Sequence, residues 1–417
     1  MRAVVGRGRE IASIVLPRWG RVIEAAGVVP FLVVDGDGGP IDAVTAYLRD
    51  FRASGNRIGS VRSYAYDLLR WWRFLRAVDV AWDVASPDEG RDFVLWLMQA
   101  SKPVARRRTR SAVTAGTVNP LTRKQYPGDE YMPRTIRHSN AVVRSFYEFW
   151  ASQGVGPVTN PIPVERSAEG RANAHHNPLQ RFRPEGRLRF NPKVAKRAPR
   201  AMTDEAWDAL FAAMASDRDR AILAFAISTA ARASELVHLR AGDVDWGDQL
   251  IRVRRKGTDA EQWLAASPDA FVWLRLYLAG AGRVPAGETL WWTLRKRRGG
   301  GDPARVALTY DALRAVFRRV NGLLGTNWTM HDLRHTCALR MVRDGNLSLR
   351  DVQTVLGHAN LTTTQIYLET DDREVIDRVR RHLADREVQA AAPPTPSAIG
   401  SGYDPADLSV LFGTSGR

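Results

Sequence analysis

Hydrophobic positions recur along this chain with two periods, and the change from one to the other marks its elements. Val61, Tyr64, Leu68, Trp71 and Leu75 return every three or four residues, which puts them on one face of a helix. Ser86-Pro87-Asp88-Glu89 reads as a helix start: serine caps free N–H groups, proline suits the first turn, and Glu89 closes a capping box. Phe93, Val94 and Leu97 follow it, and Ile136, Val143, Phe146 and Trp150 mark another helix. Thr203-Asp204-Glu205 opens a helix with acids where the helix dipole favours them, and Ile222 to Ile227 is apolar enough for a buried helix. Leu250-Ile251-Arg252-Val253 and Gln262-Trp263-Leu264 predict two strands around a turn at Lys256-Gly257. Further helices are predicted to start at Ser267, Thr309, Thr329 and Ser348, the last running through Val352, Val355 and Leu356 to a stop at Gly357. Val375, Ile376, Val379 and Leu383 predict a final amphipathic helix. Near the start, Ile11 to Leu16 and Phe31 to Val34 read as strand-like patches before the turn cluster Asp35 to Pro40.

These elements group into a basic, Gly-rich extension (1–38), a helical segment (39–160), a mixed, mostly helical segment (200–390) and an Ala-, Pro-, Ser- and Gly-rich tail (391–417). Between the two helical segments, 161–199 has many Pro, Asn and Arg residues and no periodicity, the composition of an extended linker. The expected architecture is mainly α with a small β-sheet. The 417 residues carry 61 Lys and Arg against 45 Asp and Glu, a formal charge of +16 that favours a polyanionic partner. No stretch approaches the ~20 apolar residues that cross a bilayer. The apolar run after the basic amino terminus is broken by Pro17 and Arg18, so no signal peptide is expected. Cys337 is the one cysteine, which excludes an intrachain disulfide and fits a reducing, cytoplasmic compartment. Nucleic acid and an anionic membrane surface are the two candidate partners; for the first, Arg106, Arg107, Arg108 and Arg110, in a Gly- and Pro-containing loop, are candidates for phosphate contact, as are Arg254 and Arg255 on the hairpin.

Four clusters carry candidate chemistry, each with an ordinary structural reading beside it. Arg232, just after the apolar helix, is either a surface residue paired with Glu235 or a guanidinium clamp held by Glu235 and aimed at a phosphate. Lys256 at the hairpin tip is either a solubilising charge or a mobile ammonium able to protonate a leaving oxygen. His331, Arg334 and His335 share one helix face, a poor composition for a core. The spacing of His331 and His335 also suits a zinc helix. However, Asp332 stands where that motif needs Glu, Arg334 repels a cation and no third ligand follows, so no metal is expected. Finally, Tyr367 follows His358 by nine positions and is either a half-buried tyrosine or a nucleophile on a short helix. Together, two arginines, a lysine, histidines and a tyrosine are tools for metal-free phosphoryl transfer.

In the order Arg232, Lys256, His331 with Arg334, His358 and Tyr367, the sequence resembles the tyrosine recombinase, or phage integrase, family. The resemblance covers about 40–390, with Asn160-Pro161 resembling the family's junction after its core-binding domain. One departure is Ala230, where the family more often has Gly. The resemblance implies a helical, SAM-like core-binding domain and a mixed α/β catalytic domain closing a C-shaped clamp on double-stranded DNA. It implies that Tyr367 attacks the scissile phosphate to give a 3′-phosphotyrosine. Arg232 and Arg334 would bind non-bridging oxygens, Lys256 act as general acid, His331 assist the phenol and His358 hydrogen-bond the phosphate. Glu235 and His335 would support them. It further implies no metal, nucleotide or other cofactor, a homotetramer on DNA, accessory bending or directionality factors, a nucleoid location, and integration or excision of a mobile element. The alternatives are a type IB topoisomerase, which uses a similar residue set, and a non-catalytic DNA-binding regulator.

Overall fold

The chain divides between Lys196 and Arg197 into two units. The computed structural model describes residues 9–102, 113–165, 187–194, 201–255, 257–282, 284–294, 306–358, 362–365, 367, 379–381 and 383–384. The first unit is built on α1 (Asp42–Ala53), α2 (Ile58–Ala77), α3 (Pro87–Gln99) and α4 (Pro133–Ser152). The α2 stripe is buried at Val61, Leu68, Trp71 and Leu75 and half-buried at Tyr64. Trp71 donates through Nε1 to Tyr147 Oη at 3.0 Å, and that hydroxyl donates to Trp82 O at 2.8 Å, so the polar tips of two buried aromatics are satisfied inside the core. The capping box forms as expected, with Ser86 N donating to Glu89 Oε2 at 2.8 Å. In α3, a Cβ at Gly90 would lie 1.9 Å from Pro161 O, so the Asn160-Pro161 segment can cross this helix only because the residue is glycine.

The amino-terminal stretch differs from its expectation. Ile11–Ser13 is a single 3₁₀ turn, and the strand is instead β1 (Arg21–Glu24), antiparallel to β2 (Phe31–Val34) with Val22 opposite Val33. Pro17 offers no N–H to a ladder, and Ile14 O is taken by Trp96 Nε1 at 3.0 Å. Phe31 and Val33 enter the same core as α2, and Arg9 pairs with Glu89 at 2.6 Å and Asp92 at 3.1 Å. Residues 9–38 are therefore built into the first unit. So are the described parts of 161–199: β3 (Val164–Glu165) pairs with β4 (Arg187–Leu188), and Asn140 Nδ2 donates to Phe190 O at 3.0 Å.

The second unit contains α5 (Asp204–Ala212), α6 (Asp217–Thr229), α7 (Ala233–Val237), the antiparallel sheet β5 (Val244–Asp245), β6 (Leu250–Arg254) and β7 (Glu261–Ala265), then α8 (Pro268–Ala281), α9 (Tyr310–Leu324), α10 (Met330–Arg343), α11 (Leu349–Leu356) and α12 (Thr362–Gln365). α6 is buried from Ala221 to Ala226, which is why its sequence shows no polar face. Ser216, Thr309 and Ser348 cap α6, α9 and α11 through their hydroxyls. α6 ends at Ala230 with φ +53°, a left-handed residue where alanine is strained by about 1 kcal/mol. Ala230, Cys337, Leu339, Val352, Leu356 and Tyr367 form a small cluster beside the main core, and the candidate site is built on it. Val379 and Leu383 are helical and exposed; Val375, Ile376 and the tail 391–417 lie outside the described residues. Among the described residues, no helix is long and apolar enough to cross a membrane.

Candidate active site

Arg334 is the centre of the site. It projects from the first turns of α10, is 4% exposed, and donates through Nη1 to Ala230 O at 2.5 Å and through Nη2 to Leu356 O at 2.7 Å. The carbonyls it holds end α6 and α11, so one guanidinium joins three helices. Nη2 also lies 3.1 Å from His358 Nε2. A guanidinium can only donate, so Nε2 accepts; His358 Nδ1 then carries the proton and donates to Thr364 Oγ1 at 2.9 Å. Burial, then the charges of Arg334, Arg232 and Arg255, lower the His358 pKa to about 4, which keeps this imidazole neutral at pH 7. Burial, then the Arg232 charge, also lowers Arg334 to about 10, still fully protonated at neutral pH.

Arg232 opens α7, and Glu235 one turn later grips it twice: Oε1 accepts from Arg232 Nη1 and Oε2 from the Arg232 backbone N–H, both at 2.8 Å. Burial alone would raise the Glu235 pKa, but those hydrogen bonds and the charges of Arg255 and Arg232 outweigh it and hold the carboxyl below its usual range. Arg232 keeps about a quarter of its side chain exposed while Glu235 is fully enclosed, so the pair presents the cation and hides the anion.

Tyr367 is 4% exposed, and its hydroxyl lies 2.8 Å from His335 Nδ1. Burial raises the phenol's pKa more than the charges of Arg334 and Arg232 lower it. The phenol is thus protonated at neutral pH and sits beside a nitrogen able to accept its proton. The sequence reading gave that contact to His331. In the structure His331 is exposed, and its ring meets His335 edge-on at 4.2 Å. Among the described residues, no group of three His, Cys, Asp or Glu side chains could hold a metal ion.

Arg254 and Arg255 separate sharply. Arg254 is exposed and pairs with Glu261 at 3.3 Å. Arg255 was expected to face DNA, but it is 4% exposed and turned inward: Nη1 donates to Glu235 Oε2 at 3.0 Å, Nε to Gln262 Oε1 at 2.8 Å, and Nη2 to Val355 O. The signal was present in the strand period, since Ile251, Val253 and Arg255 alternate onto one face and the first two are core residues. Thr364, whose hydroxyl accepts from His358 Nδ1 in the tautomer that Arg334 imposes, had no distinguishing mark in the sequence. Lys256, Arg106, Arg107, Arg108 and Arg110 lie outside the described residues.

Residues 200–374 match the model of the Phage integrase family. The tyrosine recombinase XerC of Herpetosiphon aurantiacus is 30% identical over 259 residues, covering 59% of this chain and 72% of that protein. XerC of Corynebacterium efficiens is 32% identical over 198 residues, and XerA of Pyrococcus horikoshii 26% over 191. The chain spans 61% and 64% of the length of these two relatives. Among solved structures, the Tn1549 transposon integrase in complex with transposon right end DNA superposes with a TM-score of 0.52 at 13% identity, covering 82% of this chain and 99% of that one. XerH bound to a palindromic difH substrate gives 0.51 at 16% identity, covering 79% and 81%. These two likenesses are of fold. The Herpetosiphon aurantiacus relative, with the family model, identifies the chain as a member of the tyrosine recombinase (phage integrase) family.

Proposed function

We propose that this protein breaks and rejoins duplex DNA at specific sites through a covalent 3′-phosphotyrosine. The observation that carries the reading is the Arg334 centre, where two arginines, a neutral histidine and a tyrosine from four separate segments gather on one small cluster. In the forward step Tyr367 Oη forms a bond to phosphorus, the bond from phosphorus to the 5′-oxygen breaks, and the phenolic proton passes to His335 Nδ1. Arg232 and Arg334 neutralise the non-bridging oxygens as charge develops on them. Lys256, assigned from its place in the motif order, returns a proton to the departing 5′-oxygen. His358 gives the phosphate a hydrogen bond once the phosphate takes over Arg334 and the imidazole proton moves from Nδ1 to Nε2, and His331 supports His335. Attack by a 5′-hydroxyl of another strand reverses the step and reseals the backbone. The ester keeps the energy of the broken bond, so the cycle needs no nucleotide.

Exchange between two duplexes requires four cuts, which fits a homotetramer on DNA. Integration or excision of a mobile element is the role that suits such chemistry, and the charge of +16 supports duplex binding that weakens steeply with salt. The test uses a duplex selected by the full chain from a random-sequence library, then nicked near the cleavage point so that the covalent product accumulates. Wild type should give a protease-sensitive adduct that survives boiling in detergent, and Tyr367→Phe should give none. Selection of a duplex without any adduct would leave a DNA-binding regulator. Adduct and relaxation of any supercoiled plasmid, without joining of two duplexes, would favour a topoisomerase.

A further inference from the structure

Arg255 has no role in the reaction just described, yet it is among the most thoroughly engaged side chains around the site. Its guanidinium reaches three separate places: the Glu235 carboxylate behind Arg232, Gln262 on β7, and Val355 O at the end of α11. Gln262 in turn donates to Thr354 O at 2.9 Å, so the end of the hairpin and the end of α11 are laced together twice. The backbone around Arg255 is equally fixed, with its N–H donating to Ala260 O at 2.8 Å and its carbonyl accepting from Asp259 N at 3.0 Å. Gly357, one residue before His358, packs on the guanidinium so closely that a Cβ there would lie 2.8 Å from Nε.

The charges give this geometry its meaning. Glu235 spends Oε1 on the Arg232 guanidinium and Oε2 on the Arg232 N–H and on Arg255. Without Arg255, more of the negative charge of an enclosed carboxylate would fall on Arg232, offsetting the cation that the site presents. With Arg255 in place, the carboxylate is shared and can orient Arg232 while leaving it net positive.

We propose that Arg255 is a positioning residue for phosphate cleavage: it shares the Glu235 carboxylate so that Arg232 stays oriented and cationic, and it ties β6 to the end of α11 that carries His358. The inference rests on the reading of Arg232 as a phosphate ligand. It differs from the sequence expectation for Arg255, because the residue acts from beneath the site and touches no DNA.

The test uses the full chain on the selected, nicked duplex described above, with adduct formation measured at saturating DNA. Arg255→Met should slow adduct formation by about tenfold to a hundredfold, the scale of losing one preorganised electrostatic contact, while the Kd for the duplex changes by less than about threefold. Arg255→Lys, which keeps the charge but cannot span three partners, should recover part of the loss. Glu235→Gln combined with Arg255→Met should be faster than Arg255→Met alone, because no carboxylate is left to cancel Arg232. A duplex with a neutral methylphosphonate at the scissile position should narrow the gap between wild type and Arg255→Met, since fewer cations are then needed. A purely structural role predicts instead equal slowing on both duplexes and no rescue by Glu235→Gln, and that outcome would overturn the proposal, as would Arg255→Met cleaving at the wild-type rate. If wild type itself forms no adduct, the underlying cleavage reading fails and the role assigned to Arg255 falls with it.

Discussion

Gly357→Ala offers a sharp test of how the site is packed. Gly357 ends α11 with φ +59°, so any Cβ brings the left-handed penalty of about 1 kcal/mol. The new methyl would also lie 2.8 Å from Arg255 Nε and 3.0 Å from its Cδ and Cζ. A free arginine would swing away at little cost, but this one is buried and held at three points, so the methyl acts as overpacking, worth about 1–3 kcal/mol. The smaller entropy of the unfolded alanine chain returns about 0.4–1 kcal/mol. The net is a loss of about 1–3.5 kcal/mol, centred near 2. At about 2–4 °C per kcal/mol for a unit of this size, scanning calorimetry of the full chain should show, at the central value, a melting temperature lower by about 4–8 °C.

The decisive control places the same change in the Glu235→Gln, Arg255→Met background, where the guanidinium is gone. Methionine puts Sδ and Cε where Cδ and Nε lay but no hydrogen bond holds it, so it swings aside; the left-handed penalty then remains, largely offset by the unfolded-state term, and the substitution should cost less than about 1 kcal/mol. The double-mutant cycle should therefore show a coupling of at least about 1 kcal/mol. A melting temperature within about 2 °C of wild type, or an equal cost in both backgrounds, would mean that Arg255 gives way freely, and the rigidity argued for it would be wrong.

Three further outcomes follow from single features. Gly90→Ala should destabilise the first unit by about 3 kcal/mol or more, because backbone rather than a side chain stands 1.9 Å from the added carbon; urea unfolding that matches wild type would refute the crossing at Pro161. Cys337 is buried with its thiol pushed up to about 11, so iodoacetamide at pH 7.5 should leave the native chain unlabelled and label it fully in guanidinium, and rapid native labelling would contradict the packing. His358 should add an acid-sensitive contribution to stability: its folded pKa of about 4 lies below the ordinary 6.5, so the unfolded chain binds the extra proton and stability falls as pH drops from 6.5 towards 4, with no change above. Melting temperatures at pH 4.5 and 7.5 should therefore differ more in wild type than in His358→Asn, and parallel shifts would sink the assignment.

Much of the fold was legible because its signals are local. A capping residue and its partner three positions on can be read at Ser86 and Ser348, and both start helices where expected. The motif residues were legible for the same reason, since Arg232 with Glu235, and Arg334 with His335, sit within one helical turn of each other. What stayed hidden depends on distance along the chain. The strand period hints that Arg255 turns inward, but its partners Glu235 and Val355, 20 and 100 positions away, show only once the chain is folded around it. The division of labour between His331 and His335 is equally invisible in a spacing, because both lie on the same helix and only the position of Tyr367 separates them. β1 escaped notice because Arg-Val-Ile-Glu is too short to alternate, and its partner β2 settles its register.

The balance of charge in the site explains why these hidden contacts matter. A site for a phosphodiester needs cations that stay unneutralised, yet buried cations need partners. The described residues resolve that conflict with helix ends. Arg334 is held by Ala230 O and Leu356 O, and Arg255 by Val355 O, all at the carboxyl ends of α6 and α11, where the helix dipole supplies about half a negative charge. A carboxylate in those places would hold the guanidinium more strongly and cancel it. Glu235 supplies a full negative charge here, and it is divided between Arg232 and Arg255. The cost of the arrangement is visible in the low pKa of Arg334 and of His358, both depressed first by burial and then by neighbouring positive charge. An anion entering the cluster would relieve that repulsion. On the cleavage chemistry proposed above, the strain of crowded cations in the free protein becomes affinity for the charge that builds on phosphorus-bound oxygens.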